Sequence, residues 1–156
     1  PRDNRTIPPL DYGRVHRLAQ RLKGTPVVIN GGIENLDQAE CELKNVSGVM
    51  LGRAAYHNPM LLAEVDARLF ADKTPAPRPK EICRTMMDYA ENHLAAGGRL
   101  NNVTRHMLGL AHGLPGARHF RQILTMDVLK QGAGVEVIAR AFAAVDFAPE
   151  IRGDKT

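Results

Sequence analysis

Apolar residues recur along this chain with two different periods, and the change from one to the other divides it. Val15, Leu18, Ala19 and Leu22 share one helical face behind Asp11, a candidate N-cap, and Gly24 supplies the stop. Residues 26–29 form a short, partly β-branched apolar run that breaks off at Asn30-Gly31-Gly32. Residues 48–51 form a second run, closed by Gly52-Arg53. Between the runs, Leu36, Ala39 and Leu43 make a helical stripe behind Asn35 and Gln38, whose spacing resembles a capping box. After the second run, Asn58 is placed to cap a helix with Pro59 at its first position and Leu62, Val65 and Leu69 on one side. Helix, strand, helix, strand, helix at this spacing predicts βα units and a parallel sheet. Strands that are apolar throughout predict cover on both faces.

The pattern then changes. Residues 72–79 alternate proline with other residues and read as an extended, semi-rigid linker. Beyond it every periodic segment is helical. Ile82, Met86, Tyr89 and Leu94 mark one helix; Val103, Met107, Leu110 and Ala111 mark a second, stopped by Gly113. Phe120, Leu124 and Val128 lie on a third, and Val135, Ile138, Phe142 and Val145 on a fourth. Short loops between amphipathic helices predict a four-helix bundle. The expected division is therefore an α/β part over 1–71, a linker over 72–79 and an all-α part over 80–156. Two strands with apolar faces and open edges do not make an independent α/β unit. Together with a start at Pro1 rather than methionine, this leads to the expectation that further strands precede residue 1 and that the α/β part behaves poorly when isolated.

Composition adds limits rather than direction. A chain of 156 residues holds one ordinary domain or two small ones, and 44% apolar residues argue against global disorder. The formal charge of +4 hints only weakly at a polyanionic partner. Cys41 and Cys83 have no metal-ligand spacing and fit plain, core or half-buried thiols of a reduced, cytoplasmic protein. No apolar run has the length of a membrane span, and no signal peptide is recognisable. The histidines show no metal-binding spacing, and no Ser-His-Asp signature is evident, so neither a metal site nor a nucleophile is expected.

Three groups of residues could carry chemistry. Asn30-Gly31-Gly32 ends a strand just before a helix, where consecutive glycines allow backbone N–H groups to approach an anion; a tight turn that needs positive φ explains the glycines equally well. Gly52-Arg53 ends the next strand, and arginine presents a planar fork of donors suited to phosphate. Phosphate sites after consecutive strands are frequent at the C-terminal face of (β/α)8 barrels, so the pair says more than either element. The third group is cationic: Arg118 and Arg121 three residues apart, Arg105 and His106 at the start of the preceding predicted helix, Arg99, His112 and His119 nearby, and Arg2 and Arg5 in the opening segment. Charge and spacing by themselves favour an ordinary solvated face for these residues.

The motifs Asn4-Arg5-x-Ile7-Pro8-Pro9-Leu10-Asp11-Tyr12, Ile29-Asn30-Gly31-Gly32-Ile33 and Gly48-Val49-Met50-Leu51-Gly52-Arg53-x-x-Tyr56-x-Asn58-Pro59, followed by Thr104-Arg105-His106-Met107-Leu108-Gly109-Leu110 and Gly113-Leu114-Pro115-Gly116-Ala117-Arg118, resemble the A-type tRNA-dihydrouridine synthases. The resemblance covers nearly the whole chain in order. It implies the last two βα units of an FMN-binding TIM barrel followed by a helical domain that helps to hold tRNA. It also implies NADPH as reductant and reduction of a flipped-out D-loop uridine (positions 20 and 20a). No metal is expected as a partner, and the full-length protein is expected to be a monomer. By motif, Asn30, Gly31, Gly32, Gly52 and Arg53 would hold the FMN phosphate, and Arg2, Arg5, Arg118 and Arg121 would contact tRNA. The family's cysteine that protonates the substrate belongs to earlier barrel strands. Cys41 does not match its motif, so no catalytic residue is assigned here and the isolated chain is expected to be inactive. Another FMN-dependent barrel oxidoreductase acting on a small molecule, and a non-catalytic RNA-binding module, are the alternatives.

Overall fold

The computed structural model describes residues 9–147. In chain order it contains α1 (Tyr12–Arg21), β1 (Val28–Asn30), α2 (Leu36–Leu43), β2 (Gly48–Met50), α3 (Arg53–His57), a 3-10 segment (Pro59–Glu64), α4 (Val65–Phe70), α5 (Pro79–Ala95), α6 (Leu100–Thr104), α7 (Ala117–Met126), a 3-10 turn (Asp127–Leu129) and α8 (Glu136–Ala143). The two strands pair in parallel, with Val28 opposite Gly48, Ile29 opposite Val49 and Asn30 opposite Met50. Both strands therefore end on the same side, and so do the loops that follow them.

Local signals explain most of the first part. Asp11 accepts from the Arg14 backbone N–H at 2.9 Å and caps α1, and Asn35 accepts from the Gln38 N–H at 2.9 Å and caps α2. The Gln38 side chain reaches back to the N–H of Glu34 at 2.8 Å, one residue before the position that a capping box would use. Ile29, Ile33, Ala39 and Val46 form a small core, with Tyr12, Val15 and Ala19 of α1 against it. Across the surface, Arg68 of α4 bridges Asp37 and Glu40 of α2, and these hydrogen bonds hold its pKa above the ordinary arginine value. His16 and Glu42 pair at 2.6 Å between α1 and α2.

Several expectations are corrected. The strands are not covered on both faces: Val28 is 55% and Met50 53% exposed, because among the described residues nothing packs beyond the two-stranded sheet. The helix expected from Asn58 is broken in two. Asn58 does stand at the cap position before Pro59, but the segment it opens is 3-10 and its side chain makes no capping hydrogen bond; its N–H donates to the Ala54 carbonyl and closes α3, and α4 begins only after the 3-10 segment. Cys41 is exposed rather than half-buried, whereas Cys83 is half-buried and desolvation pushes its thiol pKa up. Pro79, expected as the last residue of an extended segment, is the first residue of α5, with Glu81 accepting from the Arg78 N–H at 2.8 Å.

The second predicted bundle helix differs most. Val103, Met107, Leu110 and Ala111 are all buried, yet only residues 100–104 are helical. Residues 105–116 run as successive turns, and they contain Gly109, Gly113, Pro115 and Gly116. Gly109 lies against the preceding part of the chain: a Cβ there would sit 2.5 Å from the His57 carbonyl oxygen and 2.9 Å from Pro59. That close approach of backbone to backbone joins the two halves.

The helical half has the larger core, built around Phe120, Leu124, Val137, Ile138 and Phe142, and Met60 from the 3-10 segment packs against it. Tyr89 stands outside this core, 60% exposed and stacked on His93. Thr104 is fully buried, and its hydroxyl donates to the Leu124 carbonyl at 3.0 Å, tying α6 to the last turn of α7. Replacing it with valine keeps the shape and leaves that carbonyl unpaired. The expected loss is about 1–3 kcal/mol, read as reduced amide-exchange protection in α7.

Candidate functional site

The loops that follow β1 and β2 open into one cleft of about 620 Å³. Asn30, Gly31, Gly32, Gly52 and Arg53 all line it, so residues about twenty positions apart in sequence meet at one wall. Parallel pairing is the cause, since it places both strand ends side by side.

The glycines do not carry equal weight. Gly31 and Gly32 have φ of 115° and 69°, and the Tyr12 hydroxyl donates to the Gly31 carbonyl at 2.6 Å. A Cβ at Gly32 would lie 2.6 Å from Leu10 Cδ1 and 2.9 Å from the Tyr12 hydroxyl. The turn therefore requires glycine whatever occupies the cleft. Gly52 is different: its φ is −102° and a Cβ there would meet nothing within 4 Å. No packing constraint demands glycine at that position, and the space beside it is open. Next to it, Arg53 is exposed and has no hydrogen-bond or ion-pair partner among the described residues.

The cleft also contains residues that sequence patterns did not single out for it. His57 and Asn58 come from the end of α3, and Glu34 follows the glycine turn. His112 arrives from the turn segment of the helical half. Sequence position puts it near the cationic residues, and no local signal could place it here. Its position follows from Gly109 resting on the His57 carbonyl three residues earlier.

Of the cationic residues grouped by sequence, those that are described belong to the helical half. Arg118 and Arg121 project to solvent from α7, opposite the buried Phe120 and Leu124, and neither has a side-chain partner among the described residues. Lys130 and Arg140, by contrast, are engaged by Asp127 at 2.6 and 3.2 Å. The Lys130 hydrogen bond, followed by the charges of Lys130, Arg140 and His119, holds the Asp127 carboxyl below the usual carboxylate range. Arg105 and His106 are exposed and follow α6 instead of opening it. Arg2 and Arg5 lie outside the described residues. Among the described residues no group of three or more His, Cys, Asp or Glu could hold a metal, and no helix is long and apolar enough to cross a membrane.

The family profile described as dihydrouridine synthase (Dus) matches residues 1–145. The chain belongs to the dihydrouridine synthase family. Among its curated synthase relatives, a protein of Shewanella oneidensis named tRNA-dihydrouridine(20/20a) synthase is 46% identical over 145 residues, covering 93% of this chain and 43% of that protein. Proteins of the same name from Vibrio cholerae and Escherichia coli K12 are 42% and 43% identical, covering 94% and 93% of this chain and 45% and 42% of their own lengths. The chain thus spans less than half the length of these synthases.

Proposed function

We propose that this chain is the part of a flavin-dependent tRNA-dihydrouridine synthase that grips the cofactor's phosphate and the tRNA. The reading is carried by the cleft in which Asn30, Gly31, Gly32, Gly52 and Arg53 come together. An FMN phosphate fits it: the space beside Gly52 is open, an arginine without a partner among the described residues borders it, and the turn at Gly31-Gly32 keeps backbone close to the cavity. When bound, FMN would supply the hydride chemistry needed to reduce a uracil ring, with NADPH as the source of its electrons. The residues of this chain hold and orient: Arg53 neutralises phosphate charge, Gly52 leaves room for it, and Tyr12 fixes the glycine turn through the Gly31 carbonyl.

In the same proposal residues 1–71 are the last two βα units of a (β/α)8 barrel, the segment after them is a linker, and residues 80–156 are a four-helix tRNA-holding domain. Arg118 and Arg121, with Arg2 and Arg5, contact the RNA backbone. The relatives named for positions 20 and 20a suggest D-loop uridines there as the substrate. The full-length protein is read as a cytoplasmic monomer that needs no metal. The chain carries no group assigned to protonate the substrate, so catalysis depends on residues from earlier barrel strands.

The intact protein, given NADPH and unmodified tRNA, is expected to form dihydrouridine at positions 20 and 20a, mapped by reverse-transcription stops after chemical cleavage. This chain by itself is expected to form none. Turnover by the isolated chain would place the catalytic group within residues 1–156. Failure of the intact protein to bind tRNA in a salt-dependent manner would favour a small-molecule oxidoreductase instead.

A further inference from the structure

Tyr56 of α3 and His106, which follows α6, are fifty positions apart, yet Tyr56 Oη lies 3.0 Å from His106 Nδ1. Their rings meet edge to face with centroids 6.0 Å apart at 74°. On the other side of the imidazole, Arg105 Nε donates to His106 Nε2 at 3.0 Å. The three side chains form a row across the joint between the two halves, and all are exposed.

The hydrogen bonding in this row has a direction. A guanidinium only donates, so His106 Nε2 must accept and carries no proton. The imidazole proton is then on Nδ1 and is donated to the Tyr56 oxygen, which leaves the Tyr56 O–H free to donate outward. Arg105 uses Nε for His106, and its Nη1 and Nη2 have no partner among the described residues. The row therefore presents donors at both ends, a hydroxyl and a guanidinium edge, held apart by an imidazole spacer. Such a surface suits anionic oxygens. Arg118 and Arg121 of the same helical half also lack partners among the described residues, which favours a polyanion over a single carboxylate.

We propose that Tyr56 and Arg105 form a phosphate clamp for the RNA backbone, with His106 as the residue that positions both. The proposal rests on the tRNA reading above and deepens it. Since α3 also carries Arg53 at the cleft, RNA held by this row is placed in register with the cofactor site.

The test uses the intact protein, with tRNA affinity measured over a range of salt concentrations and FMN affinity measured alongside. Arg105→Ala is expected to weaken tRNA binding by ~10-fold or more, as for a lost hydrogen bond to a charged group, and to reduce the salt slope by about one. Tyr56→Phe, which removes only the hydroxyl, is expected to weaken binding several-fold with little change in slope. His106→Ala keeps both contacting groups and removes the link between them, and is expected to give an intermediate loss. FMN affinity stays at the wild-type value in all three. Wild-type tRNA binding by all three variants, with a clear loss in Arg118→Ala and Arg121→Ala, would overturn the clamp and leave the RNA reading intact. Wild-type binding by the Arg118 and Arg121 variants as well would overturn both. Parallel loss of FMN and tRNA affinity would show that the row merely supports α3, and would also overturn the clamp.

Discussion

Replacing Phe120 with alanine is expected to weaken the α7–α8 packing by about 3–5 kcal/mol, the range for removing a fully buried aromatic ring. Phe120 has no exposed surface. Its ring meets Phe142 edge-on at 5.5 Å and Phe147 at 6.4 Å, and those two stack on each other at 5.3 Å. Pairs of this kind add about 0.5–1.5 kcal/mol beyond the area they bury, so truncation loses ring contacts as well as volume. The expected observation is a collapse of amide-exchange protection in α7 and α8 of the intact protein, with α1 and α2, which belong to the other core, unaffected. Arg118 and Arg121 project from the same helix, so tRNA affinity should fall although neither arginine is altered. Protection within a few tenths of a kcal/mol of wild type would mean that the aromatic cluster does not hold these helices together.

Replacing Arg53 with alanine is expected to lower FMN affinity by about 10- to 100-fold, since a hydrogen bond to a charged group contributes about 1.5–3 kcal/mol and 1.4 kcal/mol is tenfold. Arg53 has no partner to lose among the described residues, so its removal leaves no buried charge uncompensated and the fold should be unchanged. Riboflavin, which has no phosphate, should bind wild type and variant alike. Arg53→Lys should fall between the two, keeping the charge but losing the planar fork. An equal loss for FMN and riboflavin would move Arg53 away from the phosphate and remove the main support for the proposed cofactor grip.

Much of the framework around the candidate site is legible in the sequence. Asp11 and Asn35 cap helices, and the runs before Asn30 and Gly52 pair as parallel strands. The burial pattern was also legible where the backbone was not. Val103, Met107, Leu110 and Ala111 have helical spacing and are all buried, but residues 105–116 turn instead. Apolar spacing reports which side chains face inward. Several successive turns can satisfy the same spacing, and Gly109, Gly113 and Pro115 favour them.

By itself, then, the sequence determined the alternation of helix and strand, the change to helices after the proline-rich segment, the family, and the identity of the two loops that reach the cleft. These depend on signals acting over a few residues (a cap, a glycine turn, a periodic stripe) or on ordered motifs along the chain. Only the tertiary structure decided that His112 enters the cleft, that Tyr56 meets His106, and that Gly52 is glycine without any packing need for it. The first two depend on the approach of segments distant in the chain, above all Gly109 against the His57 carbonyl, and the third on no segment approaching Gly52 at all. Such contacts are set by the shape of both partners after folding, and neither partner's local sequence records them.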